Sequence, residues 1–197
     1  MAERQPGEWH QIQTVPPIRY VCGHCSTTVS SQLGWLARIP GSGSVNANIR
    51  VCPECNQPTY IWNKPIPGVS FGGPVAHLPK GVESLYDEAR SCTSASAYTP
   101  AVLATRKLLM HIAVERGAKE GESFQSYVQY LADKGFVPPD GKGWVDHIRN
   151  KGNEANHEIR LMTKEDAEEL LIFTEMLLKF VYEFPSRVPK PLKPASS

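Results

Sequence analysis

Four of the five cysteines fall in two short pairs, Cys22-Gly23-His24-Cys25 and Cys52-Pro53-Glu54-Cys55, with twenty-six residues between them. Each pair puts two thiols on one tight turn, and two such turns complete a tetrahedron. Thiolates are soft ligands, and Zn²⁺ imposes no geometric demand of its own, so this donor set suits zinc. The spacing predicts a structural zinc site with Cys22, Cys25, Cys52 and Cys55 as ligands. Two other chemistries share the pattern, a pair of disulfides and a redox dithiol. Four thiolates fill the coordination shell, so a catalytic zinc with an open position is not expected. His24 lies between two ligands but is not needed to complete the set.

A second cluster lies far downstream. Trp144 to Ile159, WVDHIRNKGNEANHEI, carries Asp146, His147, Arg149, Asn150, Asn153, Glu154, Asn156, His157 and Glu158. On a continuous helix, Arg149, Asn153 and His157 are spaced by four and share one face. Gly152 interrupts that helix or ends it, with Asn153 capping a new one. A histidine exchanges protons near neutral pH, and an arginine grips phosphate. Arg149, Asn153 and His157 are therefore the candidate catalytic residues. The same groups would also serve as a buried polar network that fixes packed helices.

These side chains need two different scaffolds. Residues 1–63 read as a zinc ribbon with an N-terminal arm. The arm, residues 1–19, is extended because Pro16-Pro17 opposes a helix. Short strands at Ile18–Val21 and Asn48–Val51 each run into a cysteine pair, and Pro58–Trp62 supplies a final strand. A β-module of this size has a marginal core of its own and needs a staple. Residues 64–81 form a Pro/Gly-rich linker. Its apolar members Ile66, Val69, Phe71, Val75 and Leu78 predict packing along a surface.

Residues 82–184 read as a helical bundle, giving an α+β chain. Thr99 is expected to cap a helix that opens at Pro100. Ala101–Arg116 is apolar almost all round, as for a central helix. Arg106 on it calls for several carbonyls or a carboxylate such as Asp87, Glu154 or Glu158, and His111 is expected in the core or at its boundary. Ser123 opens the next helix and Gly135 stops it. Trp144, Val145 and Ile148 form the apolar side of the cluster's helix. Thr163 and Asp166 predict a capping box for a helix from Lys164 to Glu183, stopped by Pro185. Residues 185–197 are expected to be a disordered tail.

Net charge is +1. Residues 1–80 carry six Lys/Arg against three Asp/Glu, whereas 81–184 carry twelve against seventeen. Non-specific nucleic-acid binding draws on a basic surface, which the acidic helical region lacks in bulk. No apolar run reaches the roughly 18 residues that span a bilayer, and MAERQPGEWHQ lacks a secretory core. A cytoplasmic protein with no membrane partner is the expectation.

The runs LPKGVESLYDEAR, AYTPAVLATRKLLMHIAVERGA and WVDHIRNKGNEANHEI, with a last helix ending VYEFP, resemble the family catalogued as domain of unknown function 4145. Members often carry a CxxC…CxxC ribbon in front. That family resembles the HEPN superfamily of helical bundles found in toxins, restriction systems and other defence proteins. The resemblance implies an HEPN-like bundle. Active HEPN members are metal-independent ribonucleases, often working across a homodimer, with an Arg and a His separated by four to six residues, the first of them often polar. On this chain the motif falls on Arg149, Asn150 and His157. The spacing departs from the pattern, since seven residues separate Arg149 from His157. Counting from Lys151 gives five, but Lys is not a bidentate phosphate ligand.

Three functional readings follow. The first is a non-enzymatic interaction module that binds a protein or nucleic-acid partner, with a defence or restriction setting and a homodimer through the bundle implied by the resemblance. The second is a ribonuclease, with His157 as general base or acid, Arg149 stabilising the phosphorane and Asn153 orienting groups. The third is binding of a nucleotide or small ligand at the same residues without turnover.

Overall fold

A computed structural model of the chain describes residues 7–137, 143–148 and 161–188. It is an α+β structure in two compact units. The first comprises Met1–Ser70 with Thr93–Ser96, and the second Phe71–Cys92 with Ala97–Ser197.

The first unit is an antiparallel five-stranded meander in the order β1-β2-β3-β4-β5. Its strands are β1 (Gln13–Val21), β2 (Thr28–Arg38), β3 (Val45–Val51), β4 (Pro58–Ile61) and β5 (Pro65–Ile66). β1 starts inside the stretch expected to be an arm. The register shifts between Thr14 and Ile18, where Pro16 and Pro17 sit. Prolines lack a ladder donor, and an edge strand with a local irregularity accommodates them. The residues before β1 are pinned by indoles: Trp35 Nε1 donates to the Gln11 carbonyl at 3.1 Å and Trp9 Nε1 to that of Asn56 at 2.9 Å. Gly34 has no alternative at its position, because a Cβ there would lie 1.9 Å from the Ile49 carbonyl oxygen.

The second unit is helical: α1 (Lys80–Ser94), α2 (Tyr98–Glu115), α3 (Phe124–Asp133), α4 (residues 143–148), α5 (Lys164–Leu178), a π-turn at Lys179–Glu183 and α6 (Phe184–Arg187). α2 begins earlier than expected. Its cap is Ala97, with no side-chain bond. The Thr99 hydroxyl instead accepts from the Met162 backbone N–H at 3.0 Å. Nor is α2 buried all round: Leu103, Lys107 and His111, spaced by four, are exposed. His111 is thus a surface residue, 3.8 Å from Glu115. The Ser123 cap and the Thr163–Asp166 capping box form as expected.

On α5 one face, Ala167, Leu170, Leu171, Phe173, Thr174, Leu177 and Leu178, is buried. Pro185 does not end the helical path, which continues through the π-turn into α6. Proline is tolerated there because it sits in the first turn of α6, where its missing N–H costs no helical bond. The extra residue in the turn re-aims Glu183 inward. Its carboxylate accepts from the Ala76 N–H at 3.2 Å and from Arg187 at 2.6 Å.

Glu183 belongs to a clasp on residues 71–76, part of the stretch expected to be a linker. Gly73 N–H donates to Glu175 at 2.8 Å, Tyr86 donates to the Gly73 carbonyl at 3.0 Å, and Arg90 donates to the Gly72 carbonyl at 2.9 Å. Val75 is buried in the helical core, and Phe71 and Leu78 pack on it, whereas Ile66 and Val69 remain exposed.

Burial raises the Glu175 carboxyl, but bonds from Lys179 and the Gly73 N–H outweigh it and leave the pKa below the ordinary value. A depressed carboxylate contributes stability above its unfolded value, about 4.3, and that contribution is lost as pH falls through the folded value. Glu175→Gln is therefore expected to cost about 2 kcal/mol at pH 7. The gap to the native chain should close as pH drops below about 4.3, read from urea unfolding at a series of pH values. A gap that stays constant to pH 2 would contradict this account.

Candidate metal centre

Each cysteine pair closes in the same way. Cys22 N–H donates to the Thr27 carbonyl at 3.0 Å and Ser26 N–H to the Cys22 carbonyl at 2.8 Å. In the second pair, Cys52 N–H reaches Gln57 at 3.0 Å and Asn56 N–H reaches Cys52 at 2.9 Å. Ser26 and Asn56, each just after the second cysteine, hold left-handed backbones with φ of 59° and 56°. Gly23, inside the first turn, is required by close approach, since a Cβ would meet the Pro67 carbonyl oxygen at 2.1 Å.

Asn adopts the left-handed region readily and Ser less so. Ser26→Gly is accordingly expected to stabilise the sheet unit by about 0.5 kcal/mol, with Asn56→Gly near neutral. Matched urea midpoints check this; a loss at Ser26 would show that its side chain matters more than its backbone.

The two turns bring the four sulfurs within 4.8 Å of one another. Cys22 Sγ lies 3.8 Å from Cys55 Sγ, and Cys25 Sγ 3.8 Å from Cys52 Sγ. A disulfide is about 2.05 Å long, so these are not bonded pairs. A tetrahedron with metal–sulfur bonds of about 2.3 Å has edges of about 3.8 Å, and these two separations match that edge. This is the one such group of His, Cys, Asp and Glu ligands among the described residues. His24 turns away, with Nε2 3.0 Å from the Pro58 carbonyl oxygen.

The electrostatics ask for a cation. Burial raises the Cys25 thiol, but hydrogen bonds from Thr27 and neighbouring thiols bring it down to about 7. Burial pushes Cys52 up and Cys55 up to about 12. One thiol of the cluster ionises readily, and further negative charge beside it is disfavoured. A divalent ion removes that penalty by holding all four as thiolates. The cluster is also the centre of the unit's packing: Tyr20, Cys22, Val29 and Cys52 are buried together, with Ile18, Cys25, Cys55 and Ile61 against them. Half of this small core is ligand sulfur, so a metal here could bind and hold the fold at once.

The other candidate residues, Arg149, Asn153 and His157, and also Lys151, lie outside the described residues. The described start of that cluster behaves as its pattern predicts. Val145 and Ile148 are buried, and Trp144 packs edge-on to Phe173 with centroids 5.1 Å apart. His147 faces Glu169 at 2.9 Å on the exposed side. Asp87, one expected partner for Arg106, pairs with Arg90 at 3.2 Å.

Sequence reasoning passed over a row across the sheet. Trp35 pairs with Ile49, Ile49 with Tyr60 and Tyr60 with Ile66. Directly paired residues share a face. Ile49, Tyr60 and Ile66 are exposed, and Trp35, Ala37, Ile49 and Tyr60 line a shallow groove. The signal was the alternation within each strand, which only the register converts into a surface.

A family model described as Domain of unknown function (DUF4145) matches residues 87–194. No curated protein and no solved structure matches the chain. Among the described residues, no helix is long and apolar enough to cross a membrane.

Proposed function

The chain belongs to the DUF4145 family, and on that premise we propose that it is a non-enzymatic interaction module whose zinc-held sheet docks a protein partner. The carrying observation is the four-sulfur cluster. It supplies a full shell of ligands at tetrahedral spacing, which suits a closed, structural zinc rather than one that activates water. What the metal stabilises is a sheet bearing the Trp35–Ile49–Tyr60–Ile66 row.

The row favours a protein over a nucleic acid. Phosphate recognition needs lysine or arginine among the contact residues, and all four positions are uncharged. Aromatic and aliphatic side chains that are already half exposed are typical anchors of protein interfaces. An HEPN-like arrangement of the helices and a homodimer through them belong to the same reading and rest on the family resemblance.

The test is capture of partners from native cells by the intact chain, with and without nuclease, beside Tyr60→Ala combined with Ile49→Ser. Nuclease-resistant capture that the double variant loses, and that is reproduced with the purified partner, supports the proposal. Capture abolished by nuclease would move the reading to nucleic acid. Metal-independent cleavage of RNA that His157→Ala removes would replace it with the ribonuclease.

A further inference from the structure

Ile172, Met176, Phe180 and Phe184 follow one another at intervals of four along α5, the π-turn and α6. With Glu175 and Lys179 they line one shallow, open groove of the helical unit. Ile172, Phe180 and Phe184 are 46%, 42% and 43% exposed, and the two phenylalanine rings meet edge-on with centroids 5.2 Å apart. The opposite side of the same run already fills the core through Leu171, Phe173, Leu177 and Val181. A row of large apolar side chains left in water on the outer side marks a surface that another molecule covers.

The two ends of this face carry opposite charge. Residues 164–169, ahead of the row, hold one Lys and four Asp/Glu, whereas the sequence after Glu183 holds Arg187, Lys190 and Lys193 and no acid. Glu165 and Glu168 precede Ile172 by seven and four positions, and Arg187 follows Phe184 by three, so all three fall on the row's side. Glu165 and Arg187 are exposed. Glu168 lies 3.5 Å from Lys164 and Arg187 2.6 Å from Glu183, pairs that an approaching charge would share. Glu175 and Lys179 pair with each other and leave the middle of the groove neutral. The pattern is symmetric in position: 165 and 187, 168 and 184, and 172 and 180 are equally far from Met176.

We propose that this face binds a second copy of the chain, the two α5–α6 runs lying antiparallel about a two-fold axis at Met176. Ile172 then packs on the partner's Phe180, and Glu165 faces the partner's Arg187. A wholly acidic or wholly basic partner would suit one end of the face only, whereas a second copy turned end for end suits both. A parallel pairing would set acid beside acid and align the two helix dipoles, which the antiparallel one opposes. Glu165 to Arg187 spans about 33 Å at 1.5 Å per residue. A single helix face of that length lies at the small end of specific interfaces, so the dimer is weak and reversible. The inference gives a surface to the homodimer of the proposed function and rests on that part of the reading alone; the sheet row and the metal cluster are not involved.

Sedimentation equilibrium of the intact chain tests it. The expected mass rises reversibly from that of one chain toward that of two between about 5 and 500 µM. Phe180→Ser combined with Phe184→Ser should weaken the dimer at least about tenfold while the helical signal stays that of the native chain. Glu165→Arg alone, or Arg187→Glu alone, should weaken it about fivefold, because the two-fold axis counts each charge pair twice. The two reversals together should restore the native affinity, since the reversed ends meet each other. Where the phenylalanine variant fails to fold, the reversals at exposed Glu165 and Arg187 carry the test. A chain that stays monomeric at about 500 µM overturns the face and the homodimer reading together. A dimer that the phenylalanine variant leaves intact, or that the double reversal does not restore, overturns this face and leaves the homodimer to another one.

Discussion

Stripping the metal, or replacing Cys52 with Ser, is expected to unfold the sheet unit outright. Two of the four residues at the heart of its core are Cys22 and Cys52, and two more cysteines pack against them. Without a metal those positions offer four small, unlinked thiols in place of a bonded tetrahedron. Structural zinc sites contribute apparent free energies of about 10–16 kcal/mol at neutral pH. That is as large as the whole stability of a typical domain, about 5–15 kcal/mol, so its loss is expected to unfold the unit rather than loosen it. Chelation should erase amide protection across β1 to β4. Helical protection should persist, because the core between Val75 and Val181 contains none of the four ligands. Cys92→Ser should leave metal content unchanged, since Cys92 packs against that helical core. Retained strand protection after complete chelation would remove the metal from the folding account.

Phe173→Ala should be the most damaging single change in the helical unit. Phe173 is fully buried on α5 and meets Trp144 edge-on at an interplanar angle of 87°. Truncating a buried Phe costs about 3–5 kcal/mol, from lost transfer energy and the cavity left behind. The neighbouring Ile172 is 46% exposed. Ile172→Ala should therefore change stability by no more than about 0.5 kcal/mol. Urea unfolding followed by helical signal separates the two. Equal losses at both positions would mean that α5 is not docked as described.

Several features of the fold were legible because a local rule decides them. The repeated strand-then-cysteine pattern located both cysteine turns, since thiol spacing is a covalent constraint. Ser123 and Thr163 cap helices as their positions imply. Other features depend on long-range partners. Thr99 had the right type and place for a cap, yet its hydroxyl serves Met162, sixty-three residues away. Pro16-Pro17 argued for an arm, but an edge strand absorbs the pair with a register shift. His111 was expected in the core or at its boundary because α2 is rich in apolar side chains. Its exposed companions Leu103 and Lys107 become visible only when the helix is docked. The candidate site divides in the same way. The grouping of the four cysteines follows from spacing alone, whereas the Trp35–Ile49–Tyr60–Ile66 row needs the strand register.

The central claim is a closed, four-sulfur structural zinc held by the β1–β2 and β3–β4 turns. X-ray absorption at the metal edge of the protein as purified addresses it most directly. The expected spectrum is one zinc per chain with four sulfur neighbours at about 2.3 Å and no light-atom shell. A shell containing nitrogen or oxygen, or a protein that folds its sheet with no metal bound, would contradict the claim.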